Sequence, residues 1–126
     1  MRRRFVLGLG AVLAGLADFA KAQDAAKVQP SSYRVVLDNA RVRVLDYNGR
    51  PGMGVCGTGI HSHPAHLTVR LTPAKVRIVQ NGRTFVVENK LGDVFWSEAV
   101  THETENVGGA NVRSLIIELK DHVRGH

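Results

Sequence analysis

A single cysteine, Cys56, stands in the 126 residues of this chain. It has no partner for an internal disulfide, so the fold must rest on its apolar core, on a bound ion or on another chain. Cys56 itself reads as a small buried hydrophobe before it reads as a reactive thiol. Helical periodicity is missing as well: beyond the N-terminus no stretch repeats apolar residues at helical spacing, which excludes a helical bundle. Long apolar runs are also lacking. The one candidate, 5–17, falls short of the ~20 residues a membrane-spanning helix requires, so no span is expected. A basic stripe is the last absence. The net charge is +6, but residues 1–22 hold four basic and one acidic residue, and without them it falls to +3 with charges of alternating sign. That leaves no footprint for nucleic acid.

Residues 1–22 read as an export signal. Arg2, Arg3 and Arg4 form a basic start, an apolar run carrying Gly8, Gly10 and Gly15 follows, and Ala20, Lys21, Ala22 has the small-x-small form of a cleavage site. The opening also resembles a twin-arginine signal, the route for folded cargo, although no Ser or Thr precedes the arginines. The ordinary export route is equally open, and either implies a periplasmic or otherwise exported protein. Residues 23–32 are polar and read as a flexible leader, 33–120 as one domain, and 121–126 as a polar tail with His122 and His126. A single domain of this size buries a small core, and a homodimer is expected to enlarge it.

What is present is the signature of short strands. Segment 41–47 alternates valine with arginine, and the alternation suggests Val42 and Val44 on one face and a wet face bearing the arginines. Residues 48–59 are dense in glycine and form a loop. Asn81-Gly82, between 76–80 and 84–88, predicts a hairpin with a type I′ turn. Segments 94–96 and 102–107 follow, with Trp96 and Val94 sharing one face, and 112–120 holds Leu115, Ile116, Ile117 and Leu119. Eight or so strands with frequent turns describe an all-β sandwich or small barrel.

Histidine carries the chemical signal. In a strand, side chains two apart share a face, so His61 and His63 can turn into one cavity while Ser62 faces away. His102, from another strand, would complete three nitrogen ligands with coordination positions left open. The plainer alternative is three half-buried structural histidines. His66 has the opposite strand parity and is expected to face away unless Pro64 introduces a bulge. Nitrogen donors suit Fe, Mn, Zn, Ni and Cu, so the element stays open.

These residues resemble the cupin superfamily, jelly-roll barrels that hold a metal between two motifs. His61, Ser62 and His63 fit the core of the first motif, and Gly92, Asp93, His102 and Asn106 fit the second. The whole of 33–120 resembles very small single-domain bacterial cupins, Glu118, Leu119 and Lys120 included. Departures exist: the first motif's Glu would fall at Leu67 or Thr68, and Ser97, Glu98, Ala99, Val100 replace its second motif's Pro-x-Gly. What remains is similar to the three-His sites of thiol and diketone dioxygenases. The resemblance therefore implies one divalent metal, Fe(II) in first place, held by His61, His63 and His102, and an oxygenase acting on a small acidic molecule. Glu98, near the expected cavity mouth, is the candidate fourth ligand or general base, against the alternative of a solvated loop carboxylate. The rival function is a non-catalytic module that binds metal or a small ligand.

Overall fold

The structure, a computed structural model, describes residues 24–52 and 59–120. The segment read as an export signal, Cys56 and the tail with its two histidines lie outside the described residues. One short helix, α1 (Ala25–Val28), precedes nine strands: β1 (Tyr33–Asp38), β2 (Val42–Gly49), β3 (Ile60–His63), β4 (His66–Arg70), β5 (Ala74–Gln80), β6 (Arg83–Asn89), β7 (Val94–Ser97), β8 (Val100–Asn106) and β9 (Val112–Leu119). They form two antiparallel sheets, β1-β2-β9-β4-β7 and β3-β8-β5-β6. The all-β expectation holds, as a jelly-roll sandwich.

The β5–β6 hairpin closes at Asn81-Gly82, both with positive φ (53° and 73°), as a type I′ turn demands. A Cβ at Gly82 would meet nothing within 4 Å. Gly82→Ala is therefore expected to lower stability by only about 1 kcal/mol, the cost of a left-handed alanine, read as a shift of the urea midpoint. A larger loss would mean that the turn packs against something further.

Strand parity came out reversed on β2. Leu45 and Tyr47 are the buried positions, so Arg43 shares the inner face and Val42 and Val44 lie on the other. Arg43 is tolerated there because Asp24 and Glu118 both bond to its guanidinium, which supplies the counter-charge a buried cation requires. The same pairing reaches into the segment read as a leader. Residues 24–32 are docked: Asp24 bridges to Ser62 on β3 and clamps Arg43, and Ala25 is fully buried. An ion pair and an apolar contact hold in place a segment whose composition looks featureless.

On β9 the inward residues are Val112, Ser114, Ile116 and Glu118, while Leu115 and Ile117 are half-buried on the outer face beside Leu67 and Val69 of β4. The space between the sheets is correspondingly mixed. Leu45, Tyr33, Tyr47, Ala74, Val76, Val112 and Ile116 form an apolar cluster. Around it are buried His61, His63, His66, Thr68, Arg70, Ser114, Asn106 and Glu118. Burying so many polar groups is costly unless each is bonded, and it marks a cavity built for contact with something polar.

Candidate metal centre

β3 and β8 are neighbours, and their register places His61 directly opposite His102, with His63 opposite Val100. The ring centroids of His61 and His102 are 4.7 Å apart, those of His61 and His63 4.9 Å, and those of His63 and His102 5.7 Å. One nitrogen from each ring can be chosen so that all three lie within 4.8 Å of one another. Metal–nitrogen bonds of about 2.0–2.1 Å require donors somewhat closer than that, a contraction within the reach of small ring rotations. The donor set fits a transition metal: three imidazoles, no carboxylate, and open positions toward the cavity.

Hydrogen bonds decide which nitrogen each ring offers. His61 Nδ1 donates to the Gly59 carbonyl (2.8 Å) and His63 Nδ1 donates to the Glu118 carboxylate (2.9 Å), which leaves Nε2 of both as the lone-pair atom. The Tyr33 hydroxyl then donates to His61 Nε2 at 3.2 Å. Burial pulls His61 down to about 4, with the neighbouring His63 adding to it. Burial and His66 bring His63 to about 3. For His102, burial together with His61 and His63 gives about 2. All three rings are neutral at pH 7, the state that ligates. Burial raises the Tyr33 hydroxyl well above its usual range, so it stays a proton donor.

Glu118, named in the sequence only as part of the resemblance, turns out to belong to the site. Its second oxygen accepts from Arg43 Nε at 2.8 Å, and Arg43 in turn grips Asp24, giving a line Asp24, Arg43, Glu118, His63. Burial pushes the Glu118 carboxyl up, against the pull of Arg43. Burial also opposes ionisation of Asp24, but the Arg43 bonds outweigh it and hold that carboxyl below its usual value. Asn106, the last residue of the second motif, is no ligand. Its amide donates to the Gly49 and Ala110 carbonyls and its oxygen accepts from Gly108, which pins the end of β8 to the end of β2.

His66 faces inward, contrary to its parity. β3 and β4 belong to different sheets, and the crossover at Pro64 and Ala65 resets the alternation, so His66 reaches the cavity with its ring 4.9 Å from that of His63. Its Nδ1 bonds to the Pro64 carbonyl at 2.7 Å. The three-nitrogen cluster does not include it. Thr68 is the inward residue where the first motif's Glu was expected, and Leu67 points to the outer face. Glu98 lines the cavity but is exposed, and its carboxylate accepts a 2.6 Å hydrogen bond from the Trp96 indole. Trp96 and Val94 share the outer, exposed face as expected, and Phe95 lines the cavity. The cavity measures about 740 Å³.

No protein-family model and no curated protein matches the chain. Solved structures do. A cupin domain from Bordetella pertussis is 24% identical over 71% of this chain and 92% of its own, with a TM-score of 0.63. A cupin superfamily protein from Desulfitobacterium hafniense is 16% identical over 71% of this chain and 76% of its own, with a TM-score of 0.53. This likeness is one of architecture and agrees with the two antiparallel sheets: the chain has the small single-domain cupin fold. Independently, its three-His cluster is able to hold a metal ion.

Proposed function

We propose that the protein is a metal-dependent oxygenase acting on a small acidic organic molecule, with His61, His63 and His102 as the ligands of a ferrous ion. The observation that carries this reading is a cluster of three neutral imidazoles, without a carboxylate, of which His63 and His102 line a cavity of about 740 Å³ and His61 lies buried behind them. Ferrous iron held there would supply oxygen activation, and its uncompensated 2+ charge would favour an anionic substrate. The chain's own residues do the rest. Gly59 and Glu118 fix the tautomers of His61 and His63. Tyr33 would lose His61 Nε2 as an acceptor when that lone pair is taken up, and its buried hydroxyl, which also bonds with Thr104, could then turn its proton to a substrate oxygen.

The test is anaerobic loading with Fe(II) followed by oxygen-electrode measurement against diketones, thiols and enol acids. Stoichiometric iron and oxygen uptake with at least one class, both lost in His61→Ala, is the expected result. Full iron loading with no oxygen uptake from any class overturns the oxygenase reading. One observation favours the alternative of a non-catalytic binding module: Glu98, the candidate general base, is engaged by Trp96. Such a module would show a ligand-dependent thermal shift and no turnover.

A further inference from the structure

Along the inward face of β4, His66 is followed by Thr68 and then Arg70. Arg70 is only 7% exposed, lines the same cavity as His63, His66 and His102, and lies four residues, roughly 13 Å of strand, from His66. Its backbone is fixed by Asp93 and Gly92 in the turn before β7. Nε donates to the Asn89 side-chain oxygen at 3.1 Å, and Nη1 donates to the Ser114 hydroxyl at 3.0 Å. The Phe95 ring sits 5.3 Å from the guanidinium carbon. Every one of these partners is neutral. Arg34, Arg43, Arg77 and Arg113 all have carboxylates, but among the described residues no carboxylate pairs with Arg70, and its Nη2 makes no hydrogen bond. Asp93 lines the same cavity and acts on Arg70 through space without bonding to it. A buried guanidinium with no bonded counter-ion is a site for an anion brought from outside, and its planar fork suits a carboxylate.

We propose that Arg70 anchors the carboxylate of a small amphipathic monocarboxylic acid whose far end presents an oxygen donor to the histidine cluster. The inference rests on the cavity being the substrate site, and it narrows the substrate. Between the two polar ends the walls are Val76, Ile78, Phe85, Phe95 and Ile116, which call for an aryl or branched aliphatic middle. Asn89 on β6 and Ser114 on β9 belong to different sheets, so Arg70 is held from both sides of the sandwich and reaches the ligand pre-organised.

The probe is 3-(4-hydroxyphenyl)propanoate, compared with 3-(4-hydroxyphenyl)propan-1-ol by titration calorimetry on the full chain, both metal-loaded and after chelation. The acid should bind about tenfold or more tightly than the alcohol. Arg70→Gln should erase that preference while metal content stays unchanged, and Arg70→Lys, which keeps the charge and loses the fork, should retain part of it. Equal binding of acid and alcohol by the unaltered protein, or no binding of either at millimolar concentration, overturns the proposal without recourse to any variant. An acid preference that survives Arg70→Gln and vanishes on chelation would mean that the metal holds the carboxylate, which sinks the role of Arg70 and leaves the metal site standing. An Arg70-dependent preference in a protein that takes up no metal supports the anchor and sinks the oxygenase.

Discussion

Replacing Glu118 by alanine is expected to lower metal affinity about 10- to 100-fold and stability by about 3 kcal/mol. Both effects follow from one carboxylate with two partners. Toward the cavity, Glu118 accepts the Nδ1 hydrogen of His63 and so keeps Nε2 as the ligating atom. Without it the ring is free to take the other tautomer or to turn. Toward the opposite side, Glu118 neutralises Arg43, whose side chain is 19% exposed. Asp24 stays on Arg43 in the variant, which places the stability loss at the low end of what breaking a buried pair costs. Glu118→Gln separates the two roles. Its amide oxygen can still accept from His63, so metal affinity should recover in part while most of the stability loss persists. Metal titration with a competing chelator and urea unfolding, run on both variants, check this. Unchanged metal affinity in Glu118→Ala would show that the tautomer of His63 is set by something else.

Glu118 also shows where sequence reading stopped. The three-histidine cluster was legible because it depends on strand parity within β3 and on a single strand pairing, β3 with β8. His63 and Glu118 lie 55 residues apart on strands of different sheets, and no local spacing encodes a contact across the sandwich. His66 was misjudged for a related reason: parity carries along one strand and ends where the chain changes sheets. The alternation on β2 was visible, but which face is inner depends on Asp24 and Glu118 being available to neutralise Arg43. Arg70 sits in an unremarkable strand, and its lack of a carboxylate exists only in three dimensions. Turn chemistry, by contrast, is local, and Asn81-Gly82 came out as read.

Acid should unfold the metal-free protein well above the pH at which carboxylates titrate. His61, His63 and His102 have folded values of about 4, 3 and 2, all below the ordinary 6.5 of the unfolded chain. Below pH 6.5 the unfolded chain therefore binds protons that the folded one refuses. The stability that comes from keeping these rings neutral is fully present above pH 6.5 and drains away as pH falls toward the folded values. With three such groups, the loss between pH 7 and 5 is on the order of 5 kcal/mol, comparable to the whole stability of a small domain. Asp24, held below its usual value by Arg43 against the effect of burial, adds a loss of the same sign, but only below about pH 4. Glu118 works the other way: its raised value means that protonation on acidification favours the folded state and offsets part of the histidine effect. A divalent metal on the three lone pairs competes with protons, so the metal-loaded protein should keep its stability to lower pH. Urea midpoints of chelated protein at pH 7.5, 6 and 5 should fall steeply, and His102→Gln should flatten the slope by about a third, since one of three titrating groups is removed. A midpoint that stays level down to pH 5 would mean that the histidines take up protons in the folded state as readily as in the unfolded one, and would remove the neutral, ligand-ready triad on which the metal site depends.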